Sequence, residues 1–258
     1  FNRQHCEQAL ANYEHQISRY MQGASMLSFC PEHIRARIIS TGERLSVALL
    51  DSVLQSFDKK VSIIEPEKFL FTNASSLNAV ADLVLCKEKF KKEYSDLHPI
   101  ALMPGFIGVS YFGENKQLQV TTLGRNGSDY SAAVLAVCSD AQCCEIWTDV
   151  DGIYNADPRV IKDATLLDYL SYQEAMELSY FGASVLHPKT IGPIAQYHIP
   201  CLIKNTGNPS APGTLIANEN DQQKRVKAIS NLDDLTMVNV SGPGMKGMVG
   251  MASRVFAT

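Results

Sequence analysis

The sequence predicts an α/β protein built on a doubly wound, mostly parallel sheet with helices on both faces. Short apolar runs at 61–64, 100–103, 144–147 and 200–203 alternate with helix-periodic segments across short connections, the mark of strand–helix–strand units. Near the middle of the chain, an alternating Leu118, Val120 and Thr122 run passes through Gly124-Arg125-Asn126-Gly127 straight into a helical pattern. With 258 residues, 45% hydrophobic and 19% charged, there is core material for one large domain, or for a domain and part of another.

Taken in order, the chain opens on an amphipathic helix whose Leu10, Tyr13, Ile17, Tyr20, Met21 and Ala24 share one apolar face. Cys30-Pro31-Glu32 starts a second helix, Pro suiting a first turn. Thr41-Gly42-Glu43 separates it from a third, in which Leu45, Leu49, Val53 and Leu54 keep the period. Val61–Ile64 reads as a short buried strand, residues 67–80 fit no single pattern, and a helix follows from about Leu85 to Tyr94 with its lysines on a solvated face. Ile100–Met103 is a second buried strand; Pro104-Gly105-Phe106 turns the chain at its end, where ligands collect in open α/β sheets. A hairpin spans Val109 to Val120, and Cys144–Trp147 is the next buried strand. Ser171-Tyr172-Gln173-Glu174 is a capping box opening a helix that Gly182 closes. His187-Pro188-Lys189 opens another helix, followed by strands at Pro200–Ile203 and Gly213–Ile216. His187, with Pro after it, reads as structural. Residues 218–227 are a polar linker, and strands are expected at Val226–Ser230 and Leu235–Val240.

Composition narrows the function classes. A net charge of −4 and a pI near 5.9 argue against nucleic acid as partner. No apolar run reaches membrane-spanning length and no signal peptide opens the sequence. Seven cysteines without framework spacing point to reduced thiols in a cytoplasmic protein, Cys143-Cys144 reading as small buried hydrophobes. Asp149 and Asp151 lack the remaining ligands of a calcium loop, so no metal site is expected in the protein itself.

The central stretch carries the chemistry. Ser128 or Asp129 is the expected helix N-cap, since short oxygen-bearing side chains accept the free N–H groups of a first turn. Flanking glycines let a ligand approach the backbone, a helix N-terminus favours anions, and Arg125 adds a planar fork for carboxylate or phosphate. The same residues also describe an ordinary strand–turn–helix junction with a capping acid and a solvated arginine. Glu43 likewise fits a first-turn acid complementing a helix dipole.

The stretch Leu123-Gly124-Arg125-Asn126-Gly127-Ser128-Asp129-Tyr130-Ser131-Ala132-Ala133 resembles the aspartate-binding signature of aspartate kinases, members of the amino-acid kinase family. The resemblance continues through Trp147–Tyr154, Asp157-Pro158-Arg159 and Phe181–Pro188, nearest in pattern to the kinase part of bifunctional aspartokinase/homoserine dehydrogenases. It implies a carbamate-kinase-like fold and ATP-dependent phosphorylation of the L-aspartate side-chain carboxylate, the first step toward threonine, methionine and lysine. By that resemblance Glu43 meets the substrate ammonium, and Arg125, Asn126, Gly127 and Ser128 hold the amino acid. Asp129 orients a catalytic lysine. Thr148, Asp149 and Tyr154 surround adenosine, while Arg159, Ser184 and Val185 lie toward the phosphates. ATP is the cofactor, with Mg²⁺ held mainly by its phosphates and water.

The sequence departs from the family at two cationic positions. The family's Lys-Phe-Gly-Gly-Thr-Ser loop is not in the sequence, and Ser184 stands where the family has lysine. Lys189, five residues on, is expected to point elsewhere on its helix. Gly242-Pro243-Gly244-Met245-Lys246-Gly247 fits a dinucleotide pattern on paper, but no acidic residue follows it at the required distance. It more closely resembles the first strand and helix of an ACT regulatory domain. The expected organisation is therefore a kinase domain at 1–217, a linker at 218–227 and the start of an ACT-like domain at 228–258. Such a piece, trimmed at both ends, is expected to be inactive alone. It would form homo-oligomers through the ACT-like region, its Met248, Met251, Val255 and Phe256 stripe packing on another chain, and take an amino-acid effector such as threonine in the full-length protein. The alternative is a non-catalytic nucleotide- or amino-acid-binding regulatory module.

Overall fold

The computed structural model describes residues 3–181, 186–218, 226–231, 235–239 and, singly, 250, 253 and 256. Helix α1 (Arg3–Leu27) precedes α2 (Glu32–Ile39) and α3 (Thr41–Gln55). Strand β1 (Val61–Ile63), α4 (Pro66–Phe69), α5 (Leu83–Glu93) and β2 (Ile100–Leu102) follow. Then come the hairpin β3 (Ile107–Phe112) and β4 (Gln117–Thr122), helix α6 (Gly127–Cys138), and β5 (Cys144–Thr148). The last elements are β6 (Tyr169–Ser171), α7 (Tyr172–Tyr180), α8 (Pro188–Gln196), β7 (Cys201–Asn205) and β8 (Thr214–Ala217). No described helix is long and apolar enough to cross a membrane.

The expected α/β class with predominantly parallel strand pairs holds. β1 pairs parallel with β2, β5 with β7, and β6 with β8, whereas the hairpin and the β7–β8 contact are antiparallel. The four-stranded sheet runs β5-β7-β8-β6, and an isolated parallel bridge joins Phe71 to Val109.

Helix α6 is the pivot. Its Ala133, Ala136 and Val137 sit in the cluster formed with Ile146, Ile191, Ile194, Ile203 and Ile216. Its Tyr130, Val134 and Cys138 sit in a second cluster with Phe69, Leu70, Phe90 and Val109. A helix buried on two sides is apolar nearly all round, and this burial fixes the position of its N-terminus, where the candidate site lies.

Several expectations are corrected. The N-cap of α6 is Asn126, not Ser128 or Asp129; it takes left-handed dihedrals (φ 54°, ψ 31°) and makes no side-chain cap bond. Asn tolerates that conformation, so the helix starts two residues earlier than a Ser128 cap and three earlier than an Asp129 cap would place it. Residues 67–80, unassigned from sequence, complete α4 and bury Phe69, Leu70 and Phe71. In α3, Leu49 faces solvent while Asp51 and Ser52 are buried. Strands β1 and β2 are only half-buried, because their sheet has two strands. Cys143, Glu145 and Trp147 are exposed, with Cys144 and Ile146 buried, because β5 is an edge strand with one face on the core. Residues 226–231 and 235–239 are irregular, so the strands expected there are not formed where the backbone is described. Gly182, the Gly242–Gly247 motif, Met248, Met251 and Val255 lie outside the described residues; Phe256 is exposed.

Candidate active site

The turn between β4 and α6 depends on two glycines. Gly124 has φ +81°, and a Cβ there would run into Asn78 Oδ1. Gly105, in the turn after β2, lies against the first turn of α6: its Cβ would fall 3.0 Å from Ser131 Oγ and 3.1 Å from Ser128 Cα. Ser131 Oγ accepts a hydrogen bond from Phe106 N (3.1 Å) and donates to Ser128 O (2.7 Å), fastening that turn to the helix.

Glu43 arrives from the first turn of α3, and its Oε1 accepts a 2.7 Å hydrogen bond from Ser128 Oγ. An acid and a hydroxyl separated by 85 positions thus meet at the head of α6. Arg125 and Asn126 are exposed beside them. Asp129 is half-buried; burial pushes its carboxyl above the usual range, against a hydrogen bond from Asn126 that favours the ionised form. The residues expected from the resemblance to hold the amino acid, Glu43, Arg125, Asn126, Gly127 and Ser128, and Asp129, expected to orient a catalytic lysine, lie together at the head of α6.

Lys189 was expected to point elsewhere than the position of the family lysine, and the structure shows where it goes. Its ammonium donates to Asn78 Oδ1 and to Leu123 O (3.4 Å), the carbonyl that precedes Gly124, and it does not line the cavity beyond the ends of β5 and β7. Side chains in a helix tilt toward its N-terminus, and α8 packs along α6, so a residue in the first turn of α8 reaches back over the β4–α6 turn. His187 is the N-cap of α8, its Nδ1 accepting from Lys189 N at 3.2 Å, in keeping with a structural role. Burial, then Lys189 and Arg125, hold the His187 imidazole below its ordinary value, and burial lowers Lys189.

A cavity of about 550 Å³ opens beyond the carboxyl ends of the parallel strands β5 and β7, lined by Thr148, Asp149, Asp151, Asn205, Thr206, Gly207 and Asn208. Thr148 O accepts from Thr206 N (2.9 Å), joining the two loops. Asp151 Oδ1 accepts from Asn205 Nδ2 (2.7 Å) and Asn208 Nδ2 (3.2 Å). Thr148 and Asp149, expected around adenosine, both line this cavity. Tyr154, bridged to Leu166, and Arg159, whose exposed guanidinium is held by Asp157, are not among its lining residues. Ser184 and Val185 lie outside the described residues. The sequence reading missed Asn205–Asn208; the rule that ligands gather at carboxyl ends of strands, applied to β7 as it was to β2, would have found them. Among the described residues no group of three or more His, Cys, Asp or Glu side chains could hold a metal ion.

Residues 7–205 match the model of the amino acid kinase family. The bifunctional aspartokinase/homoserine dehydrogenase of Buchnera aphidicola subsp. Acyrthosiphon pisum is 47% identical over 258 residues, covering 99% of this chain and 31% of that protein. The Haemophilus influenzae protein of the same name is 50% identical over 225 residues, covering 87% of this chain and 27% of that protein. The chain therefore spans about a third or less of the length of these relatives. The E. coli aspartokinase III structure in complex with aspartate and ADP superposes with a TM-score of 0.73 at 32% identity, over 85% of this chain and 47% of that one.

Proposed function

This chain belongs to the amino acid kinase family, and on that premise we propose that it is the catalytic part of an aspartate kinase, transferring the γ-phosphoryl group of ATP to the side-chain carboxylate of L-aspartate. The observation that carries the reading is the Glu43–Ser128 hydrogen bond at the head of α6, which sets an acid for an ammonium group beside the Arg125 fork. A cavity with hydroxyl, amide and carboxylate walls at the ends of β5 and β7 fits the polar edge of a nucleoside.

A carboxylate is already ionised at neutral pH, so the acceptor needs no general base. Its oxygen forms the new bond to phosphorus, the bond from phosphorus to the bridging oxygen breaks, and ADP departs with that electron pair. What remains for the protein is positioning and neutralisation of spread negative charge. Arg125 takes one substrate carboxylate, Glu43 the ammonium, and Ser128 with the Gly127 backbone completes the cradle. Asp129, its charge under-compensated, is the partner for a cation. Thr148 and Asp149 hold the nucleoside, with Tyr154, Arg159, Ser184 and Val185 proposed around it. Mg²⁺ would be carried on the ATP phosphates and water, where it neutralises phosphoryl charge.

In the full-length protein we place residues 1–217 in the kinase domain, 218–227 in a linker and 228–258 in an ACT-like region that pairs with another copy and answers to an effector such as threonine. Ser184, in place of the family lysine, favours a second reading: a regulatory module that binds but does not transfer. Steady-state ADP release by the full-length protein separates them. Release that depends on L-aspartate supports the kinase; saturable aspartate or ADP binding without release supports the module.

A further inference from the structure

Basic side chains among the described residues differ in what holds them. Arg44 is paired with Glu67, Lys87 and Lys91 with Asp140, and Arg159 with Asp157. Lys189 has no carboxylate partner among the described residues; its ammonium donates to the neutral oxygens Asn78 Oδ1 and Leu123 O. An ammonium carries three donors, so one is left for a ligand. The position is specific: the Leu123 carbonyl immediately precedes Gly124-Arg125, and α8 brings Lys189 there from the opposite end of the sequence to Glu43. Lys189 and Arg125 both depress the His187 imidazole, which places them in one electrostatic neighbourhood. A half-buried cation held by amide and carbonyl dipoles keeps an uncompensated charge, and a bound oxyanion would compensate it.

We propose that Lys189 is a further substrate-site cation, its ammonium taking an anionic oxygen, either a carboxylate of the acceptor or a phosphoryl oxygen of the nucleotide, beside the turn that carries Arg125. The inference rests on the kinase reading above. A dicarboxylic acceptor brings two anionic groups into the cluster, and Arg125 compensates one of them. The acceptor is the nearer source, because Lys189 holds the Arg125 turn and does not line the cavity at the ends of β5 and β7.

The test uses the full-length protein with Lys189→Gln and Lys189→Arg, and Lys189→Met in place of the glutamine variant should that one fail to fold. Steady-state kinetics vary L-aspartate and ATP separately, and calorimetry measures L-aspartate and ADP binding. The neutral variant should raise both KM and Kd for aspartate roughly tenfold or more, the scale of a hydrogen bond to a charged group. ADP binding should be unchanged, and the arginine variant should recover most of the loss. A tenfold loss confined to ADP binding and kcat would assign the same ammonium to phosphoryl oxygens, and the proposal stands in that form. Unchanged aspartate and ADP binding, even with a lower Tm, overturns it and leaves Lys189 as a brace for the Gly124 turn. A wild-type protein that binds aspartate but releases no ADP refutes the kinase reading alone, and the binding comparison still judges Lys189. A wild type that binds neither ligand overturns both.

Discussion

Replacing Gly124 by alanine tests the geometry on which the site depends. Gly124 sits at φ +81°, and a Cβ there meets Asn78 Oδ1, the atom that accepts from Lys189. The left-handed backbone costs an L-residue roughly 1–2 kcal/mol. Moving the Asn78 amide away loses a hydrogen bond to a charged donor, about 1.5–3 kcal/mol in general, and Asn78 is exposed, so the lower end applies. Together the loss should be about 2–4 kcal/mol, or roughly 4–16 °C in Tm for a domain of this size. Gly23, inside α1 toward its C-terminal end and with nothing within 4 Å of its Cβ position, is the control. Alanine there should stabilise by about 0.5–1 kcal/mol. Urea and thermal unfolding of both variants, with aspartate and ADP titrations, read the outcome. The Gly124 variant should lose aspartate affinity more than ADP affinity, because the displaced turn carries Arg125 and not the cavity at β5 and β7. A Gly124→Ala protein that unfolds within about 1 kcal/mol of wild type and keeps its aspartate affinity would refute the reasoning.

Other expectations follow from the same cluster. Burial raises the Asp129 pKa above its ordinary 3.8, so the stability linked to this group is present below the unfolded value and lost as pH rises through the folded one. Asp129→Asn should therefore raise Tm at pH 7, with the gain shrinking toward zero below pH 3.8, while phosphoryl transfer falls; an asparagine variant less stable than wild type at pH 7 would contradict the burial account. Arg125→Ala should cost about 1.5–3 kcal/mol of aspartate binding and leave ATP kinetics unchanged; intact aspartate kinetics would remove it from the site. Glu43→Gln should weaken aspartate binding, and a double-mutant cycle with Ser128→Ala should return a coupling of about 0.5–1.5 kcal/mol. Lower thermal stability with unaltered kinetics would instead return Glu43 to the role of a first-turn acid in α3.

Local chemistry determined much of this protein from sequence alone. The Ser171–Glu174 capping box forms as read, with Ser171 Oγ accepting from Glu174 N and Glu174 Oε2 accepting from Ser171 N, because its partners lie within one helical turn. The hairpin, a helix following the Gly124–Gly127 turn, though not its N-cap, and the strands read at 144–147 and 200–203 were legible for the same reason: their periodicity and turn residues are short-range signals. Which residues face solvent in α3 and β5 was not legible, since an apolar period marks a face but not what covers it. Leu49 is exposed and Trp147 lies on an open edge because of where the neighbouring elements end. The site divides in the same way. Arg125, Ser128 and Asp129 belong to one turn and could be read together. The contact between Glu43 and Ser128, the reach of Lys189 to Leu123, and the facing of Asn205–Asn208 against Thr148–Asp151 join residues far apart in sequence. The burial of α6 between two cores and the packing of α8 along it decide those contacts, because side-chain direction on a packed helix is fixed by its neighbours and not by its own residues.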